Sequence, residues 1–185
     1  MTIFATVMET MTNQPRIYLD HAATTPVIPA AREAMAGTML RWANPSSPHQ
    51  EGRVAHFALE DARRRIAAAL NWDGEVIFTS GASEAIALGL RDTGAVASSV
   101  EHDAVLAVAG QTRVPVVDNG YVDISAIIGN GRFAVQSVNN ETGVIQPMAD
   151  ITAAVRKVDG IFFADCSQSA GKLPLPDADL ISISA

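Results

Sequence analysis

The chain has 185 residues, enough for one domain with a sizeable core, and 48% of them are hydrophobic, which excludes a disordered or low-complexity polymer. Its formal net charge is −7, and its one basic run, Arg63-Arg64-Arg65, reads as a solvated helix turn, so no nucleic-acid partner is expected. The single cysteine, Cys166, excludes an internal disulfide and a cysteine metal cluster; no apolar run reaches the roughly 18 residues of a membrane span, and a reducing, cytoplasmic setting is expected.

Residues 1–16 carry Glu9 and lack a basic start, so they make a poor signal peptide and are expected to be a flexible tail ahead of a domain over 17–185. Ile17-Tyr18-Leu19-Asp20 predicts a short strand. The stretch HAATTPVIP over 21–29 is turn-like, because its two prolines stop regular structure. A helix is predicted over 29–42, with Pro29 at a first helical position and Ala31, Ala34, Met35 and Met39 on one side. After the polar loop Asn44-Pro45-Ser46-Ser47-Pro48-His49 comes a long helix, predicted over 50–70. Val54, Ala58, Ala62, Ile66, Ala69 and Leu70 form its apolar stripe.

Residues 75–79, EVIFT, predict a strand, and Ser80-Gly81-Ala82-Ser83-Glu84 breaks it and opens a helix to about residue 90. Strands follow at 95–98 and 113–117, with a short helix between them at 103–109. A turn at 118–121 and a short helix at 123–128 lead to a Val- and Phe-rich strand over 132–138. A helix over 148–158 buries Ile151, Ala154, Val155 and Val158; Asp150 near its start and Arg156-Lys157 near its end suit the helix dipole. Ile161-Phe162-Phe163-Ala164 is too short for a helix and reads as a buried strand that stops at a carboxylate, Asp165. A last strand is predicted over 180–184. There is no internal repeat.

Strand–helix alternation predicts an α/β layered domain with a largely parallel sheet. Right-handed crossovers bring the strand-end loops to one edge, where ligands of open α/β sheets bind. Those loops are 80–84, 101–102, 139–143 and 165–168. The first joins a strand to a helix N-terminus, which serves either as a tight capped turn or as a phosphate cradle, with Ser83 adding a hydroxyl. It is neither GxGxxG nor a P-loop, so a dinucleotide or nucleoside triphosphate is disfavoured. His102 is a capping or surface group, or a ring that stacks on a planar ligand. Asn139 and Asn140 build a turn or donate to a ligand. Asp165 is a buried structural acid or the partner of a heteroaromatic nitrogen, with Gln168 as donor to a neighbouring ring oxygen. Cys166 points away from Asp165 and is read as buried. The ligand readings converge on a flat, phosphorylated, nitrogen-containing aromatic ring, which describes pyridoxal phosphate.

The same residues resemble the cysteine desulfurases, in the class V aminotransferase group of fold-type I pyridoxal phosphate enzymes. The matches occur in family order: YLDHAATTP over 18–26; Asn44-Pro45-Ser46-Ser47 with His49; FTSGASE over 78–84; Glu101-His102 with Ala104-Val105-Leu106; VNNETG over 138–143; and Asp165 with Gln168-Ser169 and Gly171-Lys172. The resemblance implies a three-layer α/β/α large domain with a mostly parallel mixed sheet. It implies that Ala82 and Ser83 hold the cofactor phosphate, Ser83 standing where the family usually has Thr. His102 would stack on the ring and support acid–base steps, Asn140 would lie beside cofactor and substrate carboxylate, Asp165 would hold the pyridine nitrogen, and Gln168 the ring 3-oxygen. Ser184 joins the cofactor set, and Ala23 and Thr24 the strip that folds over substrate. The implied activity converts L-cysteine to L-alanine with sulfur passed to an enzyme cysteine. The implied partners are a second copy of the chain and a sulfur-acceptor or iron–sulfur scaffold protein.

One departure stands out. In the family Ser-x-Ser-Ala is followed by His-Lys, whose lysine is the Schiff-base lysine; here Ile183-Ser184-Ala185 is reached without it, and neither Lys157 nor Lys172 matches. The persulfide cysteine also has no counterpart. The expectation is an N-terminal portion of such an enzyme, inactive alone; an inactive remnant that binds a partner, a selenocysteine lyase or another class V enzyme are the alternatives.

Overall fold

Two five-residue runs build the centre of the protein, RFAVQ and IFFAD. The computed structural model describes residues 17–184, and the predicted tail at 1–16 lies outside them. Strand β3 (Arg132–Gln136) and strand β4 (Ile161–Asp165) pair in parallel, from Arg132 against Ile161 to Gln136 against Asp165. Strands β1 (Val96–Ser98) and β2 (Arg113–Val114) add on the β3 side and β5 (Leu180–Ser182) on the β4 side, giving the order β2-β1-β3-β4-β5. Every pairing between these strands is parallel.

Alternation along each strand feeds two separate cores. Phe133, Val135, Phe162 and Ala164 join Ile151 and Val155 of a helix over Met148–Lys157. Ala134 and Phe163 join the opposite layer, with Ile86 and Leu90 of a helix over Ala82–Leu90 and Val105 of a short helix over Asp103–Leu106. In chain order the helices are α1 (Pro29–Met39), α2 (Gln50–Leu70), α3 (Ala82–Leu90), α4 (Asp103–Leu106) and α5 (Met148–Lys157), with a 3-10 turn over Ile124–Ala126. The three-layer α/β/α expectation therefore holds, since a sheet covered on both faces must have apolar strands. Helix α3 lies so close to β4 that a Cβ on Gly89 would stand 2.5 Å from the Phe163 ring, so only glycine fits there.

The long predicted helix matches α2 at both ends. His49 caps its start, its Nδ1 accepting from the Gly52 amide at 3.2 Å, and Asn71 ends it in the left-handed region at φ 51°. The arginine run is a solvated turn as expected, with Arg63 facing Glu60, and Arg64 and Arg65 facing Asp61.

Several expectations are corrected. Helix α1 buries none of its residues and α2 only Gly52; the α1 stripe is largely open, with Met39 80% exposed, and the α2 stripe is covered in part, with Val54 49% exposed but Ala62, Ile66 and Leu70 half-buried. Residues 17–20 and 75–79 have no regular secondary structure and pair with no described strand. The 75–79 stretch leans on α2 instead: the Trp72 indole donates to the Glu75 carbonyl at 3.1 Å, and Arg63 sits 5.4 Å from the Phe78 ring centre. The cause is common to all of these. Apolar periodicity reports a face that favours burial but not the segment that covers it. Strand β2 stops at Val114 because Pro115 lacks a ladder donor. Beyond it, Val116 pairs only with Val122, in an isolated antiparallel bridge.

Asp179 joins the end of α5 to β4 and β5. Its Oδ2 accepts from the Arg156 guanidinium at 2.6 Å and from the Phe162 amide at 2.7 Å. Partial desolvation pushes this carboxyl up, but the Arg156 and Phe162 donors together hold it below its ordinary value of 3.8. A lowered carboxylate stabilises the fold above its unfolded pKa, and that contribution is lost as pH falls through the lower native value. Asp179→Ala is expected to cost about 1–3 kcal/mol, from the lost Arg156 pair together with the orphaned Phe162 amide. Denaturant unfolding from pH 7 down to acid should show that penalty shrinking below pH 3.8; a penalty unchanged with pH would show that the Asp179 charge is not what it measures.

Candidate functional site

A parallel sheet places the carboxyl ends of its strands along one edge. Here side chains stitch β1 to β3 and β4 to β5, and a backbone bond joins β3 to β4. Glu101, just past β1, accepts through Oε1 from the Ser98 hydroxyl at 2.5 Å and from the Gln136 amide at the end of β3 at 2.8 Å. The Gln136 side-chain amide donates back to the Val100 carbonyl, and Asn139 does so at 3.0 Å. At the end of β4, the Asp165 carbonyl accepts from the Ser137 amide at 2.8 Å. Ser98, Gln136, Asp165 and Ser182 end four neighbouring strands and are all buried.

Asp165 is held by one oxygen only. Its Oδ1 accepts from the Ser167 amide at 3.0 Å, the Ser167 hydroxyl at 2.7 Å and the Ser182 hydroxyl at 3.0 Å. The structural reading of Asp165 is borne out, since Oδ1 braces the β4–β5 edge, and Oδ2 is left without a partner among the described residues. Ser167 is legible as the donor two residues on in an Asx turn, whereas Ser182 required knowledge of strand order.

Arg132, the first residue of β3, donates to the Gly89 carbonyl, so the C-terminal end of α3 lies over the strand starts. Its N-terminus is therefore on the strand-end side, about 12 Å along the helix axis. That terminus has no side-chain cap, and nothing lies within 4 Å of the place a Cβ on Gly81 would take. Ala82 and Ser83 stand in its first turn, Ser83 exposed. Glu84 turns back to accept from the Ser80 amide at 2.5 Å, a bond that lowers its pKa.

His102 is exposed, and its Nδ1 accepts from the Ala104 amide at 3.1 Å, capping α4. The capping reading is correct, and the cap fixes the ring while leaving Nε2 unengaged. The paired-amide reading of the 139–143 loop splits in two. Asn139 is buried and builds the turn, its Oδ1 taking the Glu141 and Thr142 amides. Asn140 is half-buried, and its Nδ2 donates only to Glu141, at 2.9 Å.

Gln168 reaches the N-terminal strip, donating from Nε2 to the Ala22 carbonyl at 2.9 Å. Ala23 and Thr24 follow in a turn closed by the Tyr18 hydroxyl, which donates to the Thr24 and Asp20 carbonyls at 3.0 Å. Ser184 lies two residues past β5, exposed and with no described partner. Cys166 is fully buried on the α5 side beside the Ser137 and Ser169 hydroxyls, and burial pushes its thiol pKa up. Lys172 donates to the Gln168 carbonyl at 3.2 Å, and Lys157 ends α5.

Two cavities, of about 520 and 510 Å³, lie elsewhere, one beside α5 and residues 173–177, the other between the end of α2 and residues 175–178. Neither is lined by Asp165, His102 or Ser83.

Sequence reasoning passed over Glu101, whose carboxyl is 6% exposed, and Ser98 and Gln136. Burial pushes the Glu101 pKa up to about 8; Ser98 and Gln136 oppose the shift, and the nearby Asp165 adds to it. The available signal was a polar residue closing each apolar strand, VAS and RFAVQ.

The Aminotransferase class-V pattern matches residues 17–185. A cysteine desulfurase of Cereibacter sphaeroides is 35% identical over 92% of this chain and 51% of its own length. Cysteine desulfurase IscS of Shewanella denitrificans is 37% identical over 91% and 49%. Among solved structures, a NifS-like protein from Rickettsia africae has a TM-score of 0.81 at 28% identity, over 92% of this chain and 54% of that one. SspA in complex with cysteine has a TM-score of 0.79 at 29% identity, over 91% and 57%. The chain thus spans about half the length of the curated relatives it matches. With the parallel sheet, the polar strand-end edge and the ordered motifs in agreement, the chain belongs to the class-V aminotransferase family and its relatives there are cysteine desulfurases.

Proposed function

We propose that this chain is the cofactor-binding portion of a pyridoxal phosphate-dependent cysteine desulfurase. The observation that carries the reading is the divided Asp165 carboxylate, three donors on Oδ1 and none on Oδ2, at the end of a buried parallel strand. Such a group is pre-set to accept one further hydrogen bond from a ring N–H without reorganising. The residues fit the cofactor in other respects. The first turn of α3 offers uncapped amides and the Ser83 hydroxyl to a phosphate, supported by the helix dipole. The cap on His102 holds its ring at one place beside the edge. One N–H of Gln168 is engaged by Ala22, and the amide has a second for a ring oxygen.

The cofactor, when bound, supplies an electron sink for the carbanion formed at an amino acid's α-carbon. The chain's own residues do the rest that lies within it. Asp165 keeps the proton on the ring nitrogen, Ala82 and Ser83 fix the phosphate, and His102 covers a ring face and supports proton movement. Asn140 and the strip holding Ala23 and Thr24 orient the substrate carboxylate. The substrate proposed is L-cysteine, with sulfur delivered to an acceptor or iron–sulfur scaffold protein by a homodimer in the cytoplasm. The chain has two lysines, and neither Lys157 nor Lys172 matches the family's cofactor lysine. Within these residues the cofactor would be held by hydrogen bonds and stacking rather than through the family's lysine, and desulfurase turnover by these residues alone is not expected.

Adding pyridoxal phosphate to the 185-residue chain should give a saturable change in the cofactor's absorbance. Asp165→Ala should weaken binding about 10- to 100-fold, the worth of a hydrogen bond to a charged group, and Ser83→Ala about fivefold. Equal affinity of Asp165→Ala and wild type would remove the cofactor reading. Cys166 is assigned no role in sulfur transfer: the native chain should resist thiol labelling at neutral pH, and Cys166→Ala should leave cofactor affinity within about twofold. Rapid labelling of the native chain would overturn that assignment.

A further inference from the structure

Glu101 has no part in the function proposed above, yet it is the most unusual polar group in the molecule. Its carboxyl is buried, Oε1 accepts two hydrogen bonds, and Oε2 is buried with no partner among the described residues. No ion pair among the described residues reaches it. The groups around it offer no positive charge. Ser98 on β1 and Gln136 on β3 are neutral. Asp165 on β4, in register with Gln136, is the acid whose charge acts on it, and that charge is negative. His102, next in the chain, is exposed and turns its Nδ1 to the Ala104 amide. Cys166 faces the other core.

An ionised carboxylate here would hold a bare charged oxygen out of water, which is costly. A neutral acid fits the geometry better: Oε1 is the carbonyl oxygen that takes both donors, and Oε2 carries the proton. We propose that Glu101 is a neutral carboxylic acid in the working protein and a positioning residue for the cofactor subsite, its Oε1 tying the ends of β1 and β3 so that His102 leaves the sheet at a fixed place, and its lack of charge adding no second anion beside Asp165. This rests on the cofactor reading above.

The test uses the 185-residue chain, Glu101→Gln and Glu101→Ala. Folded Glu101 keeps its proton to about pH 8, whereas an ordinary carboxyl loses it near 4.5. Between those values the unfolded chain releases a proton that the folded chain retains, so this group's effect is to lower stability as pH rises through that window. Denaturant midpoints should therefore shift in favour of Glu101→Gln with rising pH, and the gap should level off above about pH 8. On the unmutated chain, infrared spectra should show a protonated carboxyl band at pH 7 that titrates away near 8. A pH-independent gap together with no such band overturns the neutral acid, and the band decides the matter alone if Glu101→Gln does not fold. Pyridoxal phosphate should bind Glu101→Gln within about twofold of wild type and Glu101→Ala about tenfold more weakly at pH 7, since two donors lose their acceptor. Above pH 8 the affinity of wild type should fall relative to that of Glu101→Gln. Wild-type affinity in a folded Glu101→Ala overturns the positioning role. Failure of the wild-type chain to bind the cofactor overturns the functional reading and the positioning role with it, while the carboxyl band still decides the protonation state.

Discussion

The in-register pairing of β3 with β4 is the constraint on which the rest depends. Both strands are covered on both faces, so neither can carry a polar side chain along its length without leaving it unsatisfied. Polar residues are admitted only at the strand ends, Arg132 at the start of β3 and Gln136 and Asp165 where the two strands stop. Gln136 and Asp165 are the last pair of that ladder, and each is the first position at which the chain reaches hydrogen-bonding partners from the loops. The strand-end row is thus a consequence of the dry sheet behind it. It concentrates hydrogen-bonding capacity on one line because the interior of the sheet does not tolerate it.

That row carries two carboxyls, and their surroundings make them different. Both are 6% exposed, but Asp165 takes three donors on Oδ1, whereas Glu101 takes two on Oε1, meets no cation and keeps Oε2 fully buried with no partner among the described residues. Two negative charges at neighbouring strand ends would repel in a medium of low dielectric. Desolvation, opposed by only two donors, assigns the proton to Glu101. Glu101 serves the geometry, and in the proposed function Asp165 serves the ligand.

How much of this was legible follows the range of the interactions involved. The end of β4 could be read because an apolar run stopped at an acid, and α2 because its caps, His49 and Asn71, are local. The stopping points of β2 and α4 were overrun by a few residues, since isolated bridges and turns continue the same apolar pattern. The stripes of α1 and α2 and the stretch at 75–79 were correctly seen as apolar, but the strand expected at 75–79 finds no partner among the described residues. Their exposure depends on which segments meet them, and a one-dimensional period does not carry that. At the site, Asn139 and Asn140 look equivalent in sequence. Only the fold shows that one closes the turn and donates to Val100 while the other stays half-exposed. Glu101 was missed for the same reason, since its acceptor role spans 35 residues to Gln136.

Gln168 shows how the edge and the N-terminal strip act on each other. Its amide donates to Ala22 across 146 residues of sequence, the longest-range side-chain bond among those described. Its own carbonyl accepts from Lys172 one turn on, which fixes the backbone from which the side chain springs. The strip itself buries little: Leu19 is 85% exposed and its residues to Thr25 remain open. The Tyr18 hydroxyl closes the strip on itself, and the Gln168 bond ties it to the edge. A side-chain amide has two N–H groups, so a ligand oxygen that engages the second need not displace the strip. Filling the edge and keeping the strip over it are then compatible, because the same amide bridges both.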